Sequence, residues 1–262
     1  MIDKKRIANK KWIKSAVNNV LYPILALGII IAVWAIVSAS LQKPLLLPMP
    51  DVVFTRFFSL FFEEDFWYSV FSTLMRSFLA FIISFVLAYL TALLAVKITP
   101  VSKLFDTFVA VLRAAPTVAV ILITYAFFHT KTMTVIVGFL IAYPILYSAF
   151  LGALRGVDKD LVSMTKVYKI SKISALFHTY FLSVSSFVFD ISKSTLSLTL
   201  KVVISAEILT LVAKSVGGAI YNANSTFEAS YLLAWTSMAI LLSFLVELLV
   251  ELVKKCVVRW EK

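Results

Sequence analysis

Apolar residues run through this chain in six long stretches, separated by polar breaks too short to hold a separate domain. A helix needs about 20 predominantly apolar residues to cross a bilayer. Leu21 to Leu41 meets that length. Ser77 to Val96 carries no formal charge, and its helix is expected to begin nearer Tyr68. Ala114 to Phe128 is uncharged and extends back through Leu104. Thr132 to Leu154 is another apolar stretch. Leu182 to Ala213 is long enough but contains Asp190, Lys193, Lys201 and Glu207. Ala229 to Val246 is the last and continues toward Val253.

The pattern predicts an all-α polytopic membrane protein with six transmembrane helices. Its order is a basic arm (1–20), a first span (21–41), an outer segment (42–67), a core of five spans (68–253) and a tail (254–262). The core includes a polar inner loop, 155–174. Within the outer segment, Asp51 to Trp67 is too short and charged to span, and its aromatics suit a helix lying in the interface. The lead-in KPLLLPMP is expected to be extended, because a residue before proline disfavours helix.

Composition agrees with the pattern. Of 262 residues, 61% are hydrophobic and 15% charged, against about 45–50% and about 25% in soluble domains. In a soluble protein a net charge of +11 would raise nucleic-acid binding, but here its distribution matters more. Seventeen Lys and Arg lie in the N-terminal arm, the loops after the second and fourth spans, and the tail, and only four lie in the opposite loops. The positive-inside rule then places both termini in the cytoplasm, and no nucleic-acid partner is expected. The first apolar run is too long for a cleaved signal core. Cys256 is the only cysteine, and His129 and His178, the only histidines, lack metal-ligand spacing. No disulfide framework, metal site or cofactor is therefore expected in this chain.

The inner loop, RGVDKDLVSMTKVYKISKIS, is the least hydrophobic stretch between spans. Asp158 can cap a helix beginning at Lys159. On a helical wheel Leu161, Val162, Met164, Thr165, Val167 and Tyr168 form one broad arc, opposite Lys159, Ser163 and Lys166. Such a helix fits either a groove on a partner protein or lipid headgroups.

In position and flanks this loop resembles the cytoplasmic coupling loop of the permease subunits of bacterial ABC importers, the binding-protein-dependent transport family. More narrowly it looks like the nitrate, sulfonate and taurine branch, which also holds permeases for thiamine precursors and riboflavin. The family's E-A-A then G pattern aligns without gaps but is degenerate, with Ser163, Met164 and Thr165 for E-A-A and Lys169 for glycine. LPMPDVV, LRAAPTVAV (with Arg113 and Pro116), YPILYSAFLGALRGVD, LKVVISAEIL (with Lys201 and Glu207) and SVGGAIYNANSTFEASYLLAW resemble further family motifs in the same order.

The resemblance implies the type I importer permease fold and a multi-pass position in the bacterial cytoplasmic membrane. It also implies two ABC ATPase subunits gripping the coupling loops through Asp158, Lys159, Leu161, Ser163, Met164, Thr165, Lys166 and Lys169. A second permease copy, identical or different, would complete the path, and an extracytoplasmic binding protein would deliver the solute. The chain has no Walker-type phosphate loop, so ATP and Mg belong to the ATPase partners and this chain is not itself an enzyme. The solute implied is a small anion such as nitrate, a sulfonate or taurine, with a thiamine precursor or riboflavin as the alternative.

Four residues are candidates for the path or its intramembrane charges: Arg113, Pro116, Lys201 and Glu207. Ionisable groups in a span usually face protein or water. Asp190 and Lys193, three apart, are expected to pair within their helix. Lys201 and Glu207 lie about 240° apart around theirs and cannot pair there, so each needs Arg113, Arg76, another subunit or water. A structural ion pair is the first reading of Lys201. A place on the path, where it suits an anionic substrate, is the second. Pro116 and Pro144 are expected to kink their helices. A secondary transporter or channel would show inverted repeats with broken helices, and a membrane enzyme would cluster His, Asp or Glu. Neither pattern is evident.

Overall fold

The computed structural model describes residues 2–157 and 182–257, with Met164, Val167 and Tyr168 between them; residues 2–20 and 182–186 are described by backbone alone. Nine helices occur among these residues: α1 (Ile2–Leu41), α2 (Pro50–Leu60), α3 (Phe66–Lys97), α4 (Thr99–Ala114), α5 (Thr117–Phe127), α6 (Thr130–Arg155), α7 (Leu182–Leu209), α8 (Val216–Ser225) and α9 (Ala229–Val257).

Four of them are long and apolar enough to cross a membrane: Leu21–Leu41 of α1, then α3, α6 and α9. The third predicted span is corrected. It is not one helix but two, α4 and α5, which meet at 100°. The cause is Pro116: it holds Ala115 extended, with φ −72° and ψ 128°, and itself begins α5 from φ −60° and ψ 129°. The pair counts as one broken span or as a re-entrant elbow. α7 has 28 residues, about 42 Å of helix, and contains four charged residues.

Helices α3, α6 and α7 form the core. The buried face of α3 is a stripe of small residues, Ser69, Thr73, Ser77, Ala80, Ser84, Ala88, Ala92 and Ala95, spaced three or four apart. In lipid there is no hydrophobic force between helices, so small residues that allow close approach supply the packing. Gly138 of α6 sits at the crossing, where an added Cβ would lie 2.8 Å from Ala80 Cβ and 3.1 Å from a Val203 methyl. Toward the Arg155 end of α6 the packing turns aromatic, with Tyr143, Tyr147 and Phe150 against Phe85, Tyr89, Phe105 and Phe108.

The outer segment forms α2, with Val53 and Leu60 buried. Phe61 and Phe66 join it to Trp235 of α9. Arg56 lies 4.6 Å over the Tyr231 ring, and the Tyr231 hydroxyl donates to Glu63. The lead-in fastens to α1, with Trp34 Nε1 donating to Pro48 O at 3.1 Å and Ser38 Oγ to Leu47 O at 2.8 Å. The rest of the Leu21–Leu41 span is almost wholly exposed. Substituting Gly138→Leu should overpack the α3–α6–α7 crossing and cost about 1–3 kcal/mol, read as a lower unfolding temperature of the purified protein in detergent.

Candidate functional site along α7

Helix α7 is buried on nearly every side. From Phe187 onward its exposed positions form one stripe, Phe187, Asp190, Ser194, Leu198, Lys201, Ser205 and Leu209, in steps of three and four. Four of the seven are polar. The exposed face of α3 is instead mostly apolar, with Phe78, Leu79, Ile82, Ile83, Val86, Leu87, Leu90 and Leu94. A polar row on a membrane helix faces water or protein.

Glu207 lies off this stripe and is fully buried. Its carboxylate accepts from Arg76 Nη2 at 2.8 Å and Nε at 3.0 Å, from Thr73 Oγ1 at 2.9 Å, and from the Gly217 N–H at 3.1 Å. Thr73 Oγ1 in turn accepts the Val216 N–H at 3.1 Å. One carboxylate thus joins α3, α7 and the start of α8. The turn between α7 and α8 needs this clamp, because Leu211 and Lys214 hold φ of 54° and 51°. Its closeness also requires glycine: a Cβ on Gly217 would lie 2.4 Å from Glu207 Cβ, and one on Gly218 2.1 Å from Val212 O. Beyond the end of α7, Lys214 bonds Asp65 at 2.9 Å. The Asp65 carboxylate, by that hydrogen bond and its charge, raises the Lys214 ammonium above the usual lysine range.

The expected Asp190–Lys193 pair does not form. Both side chains reach the antiparallel α9 instead, Lys193 to Glu251 at 3.2 Å and Asp190 to Lys254 at 2.7 Å. Neighbours three apart on one helix serve two partners on the next. Lys201 pairs with no described carboxylate. It lines a hollow of about 410 Å³ between α7 and α9, shared with Glu247, Ser243 and Thr236. Arg113 also lacks a described carboxylate; its Nη2 donates to the Pro144 carbonyl at 3.0 Å. Arg113 lines a separate polar hollow of about 560 Å³, with Asp106 and Ser148. The structure therefore brings Arg113 and Pro116 to the α4–α5 elbow, and puts Lys201 and Glu207 on different faces of α7.

Sequence reasoning passed over Asp106, Ser102 and Tyr147. Arg155 Nη2 donates to Ser102 Oγ at 2.7 Å, Ser102 Oγ to Asp106 at 2.9 Å, and Tyr147 to Asp106 at 3.1 Å. This network ties α4 to the end of α6, where the inner loop begins. The four-residue spacing of Ser102 and Asp106 was its only sequence signal. In the inner loop Met164, Val167 and Tyr168 are exposed by 51%, 77% and 71%, and the Tyr168 N–H donates to Met164 O at 2.9 Å. Three members of the predicted apolar arc thus stand outward. Asp158, Lys159, Leu161, Ser163, Thr165, Lys166 and Lys169 lie outside the described residues.

Residues 84–259 match the family described as "Binding-protein-dependent transport system inner membrane component". That is most of the chain, and the protein belongs to this family: it is a permease subunit of an ABC importer, a multi-pass membrane protein. The fold agrees. A structure of the MetNI methionine ABC transporter in an inward-facing conformation aligns with TM-score 0.62 and 14% identity, covering 72% of this chain and 94% of that one. A crystal structure of "an amino acid ABC transporter with histidines" aligns with TM-score 0.61 and 12% identity, covering 74% and 94%. At these identities the likeness carries the type I permease fold alone. No curated protein matches the sequence.

Breaking a buried ion pair leaves an uncompensated charge and costs about 3–5 kcal/mol, whereas replacing both partners by apolar residues is often neutral. Arg76→Met should therefore lower the unfolding temperature of the detergent-solubilised protein more than the double variant Arg76→Met with Glu207→Met.

Proposed function

We propose that this chain forms one half of the translocation path of an ATP-driven importer, and that the exposed stripe of α7 lines that path. The solute is small and carries an acidic group, the class to which nitrate, sulfonates and taurine belong. One observation carries the reading. Among the cations of these helices, Arg76 and Lys193 are paired with carboxylates, whereas Lys201 and Arg113 have no carboxylate partner among the described residues and each borders a hollow. Unpaired cations inside a membrane protein are costly unless water or a passing anion meets them.

In this arrangement α7 serves as a sixth span and both termini lie in the cytoplasm. A second permease copy completes the path, and a binding protein delivers the solute outside. Two ATPase subunits, holding ATP and Mg, dock on segment 155–174. Their closure moves that segment, and the Arg155–Ser102–Asp106 network passes the motion to α4 and its elbow. Domain closure of this kind tilts packed helices between two discrete arrangements.

Two experiments test this. With Cys256→Ala as background, Lys201→Cys and Ser205→Cys should react with a charged, membrane-impermeant thiol reagent, while Leu79→Cys and Val86→Cys on the apolar face of α3 should not; unreactive stripe positions would remove α7 from the path. Deleting Asp158 to Ser174 should abolish co-purification with the cognate ATPase, and retained binding would remove that segment from the ATPase interface.

A further inference from the structure

The hollow between α7 and α9 holds two opposite charges that are not bonded to each other. Every other charge on α7 from Phe187 onward is partnered: Asp190 by Lys254, Lys193 by Glu251, Glu207 by Arg76. Lys201 and Glu247 line one hollow of about 410 Å³, and neither forms an ion pair among the described residues. The Asp190–Lys254 and Lys193–Glu251 pairs fix the antiparallel register, with Lys201 level with Ser243 and Glu247 one turn away. The depths of Lys201 and Glu247 therefore differ by about 6 Å. Helical side chains lean toward their own N-terminus, and in antiparallel helices this register makes Lys201 and Glu247 lean toward one another across the gap.

The rest of the lining suits a small organic body. Ile204, Ile208, Ile220, Ile240 and Phe244 supply an apolar wall. The Ser243 and Thr236 hydroxyls donate to Ala239 O and Leu232 O of their own helix, which leaves their lone pairs free to accept. A pure anion drawn to Lys201 meets Glu247 as a like charge, so the pair rejects it. A molecule with an acidic group at one end and an ammonium at the other satisfies both charges at once.

We propose that this hollow is a binding site for a small zwitterion, an amino acid or an aminosulfonate, whose acidic group meets Lys201 and whose ammonium meets Glu247. The proposal deepens the reading of α7 as path-lining and rests on it. It narrows the solute class: taurine remains, and nitrate does not.

The test uses the complete importer, permease with its ATPase subunits, purified without the binding protein. Equilibrium binding is measured with radiolabelled taurine and radiolabelled L-methionine, each challenged with nitrate. At least one zwitterion should bind saturably, its identity separating aminosulfonate from amino acid, and nitrate should not compete. Glu247→Gln should weaken that binding about tenfold, the worth of one hydrogen bond to a charged group. Glu247→Asp, which keeps the charge and controls for folding, should retain most of it, and Lys201→Met should abolish it. Failure of both zwitterions to bind, competition by nitrate, or Glu247→Gln binding as well as the native complex overturns the proposal. Thiol labelling at position 201 still decides separately whether α7 faces the path.

Discussion

The carboxylate of Glu207 is the joint on which this arrangement depends. It is a buried charge in a protein with few interior charges, and it is tolerable only because Arg76, Thr73 and the Gly217 N–H surround it. Those partners come from α3 and from the start of α8, while Glu207 itself belongs to α7. One charge therefore fixes two helices and the turn that follows. The close approach of Gly217, and the positive φ at Leu211 and Lys214, are consequences of drawing α8 onto that carboxylate.

Once α7 is held from so many sides, little of it remains exposed. The single stripe from Phe187 to Leu209 is what the packing leaves. Its polar members carry the functional reading: Lys201 has no carboxylate partner among the described residues, and Ser194 and Ser205 lie on the same stripe. The end of the stripe near Asp190 is braced by ion pairs to α9, so the unpaired Lys201 and Glu247 sit between a braced end and a clamped end. A site placed there is rigid on both flanks, as recognition of a small solute requires.

The α4–α5 elbow and the network at the end of α6 form the complementary part. Pro116 turns the chain by 100°, and Arg113 anchors the turn to a carbonyl of α6. At the far end of α4, Ser102 and Asp106 hold Arg155, the last residue of α6 before the inner loop. The end of α6 is thus tied to α4 by hydrogen bonds as well as by the Phe105–Tyr147 and Phe108–Tyr143 ring contacts. Met164, Val167 and Tyr168 stand exposed in that loop.

Length and apolar runs were enough to mark four membrane-length helices, in α1, α3, α6 and α9, because hydrophobic thickness sets a minimum span and lipid forbids unpaired backbone. The Leu21–Leu41 span lies where the pattern placed it, and ordered motifs from LPMPDVV to SVGGAIY pointed to the importer family. The 3.6-residue period was also enough to show that Lys201 and Glu207 cannot pair with each other. Partner choice was not legible. Nothing in sequence spacing told Arg76 apart from Arg113 as the partner of Glu207, or showed that Asp190 and Lys193 would turn away from each other to α9. Nor did an uncharged run reveal that Pro116 breaks its helix by a right angle rather than bending it. Those outcomes depend on which helices become neighbours and in what register. Local sequence sets which face a residue occupies; only the packed bundle decides what that face meets.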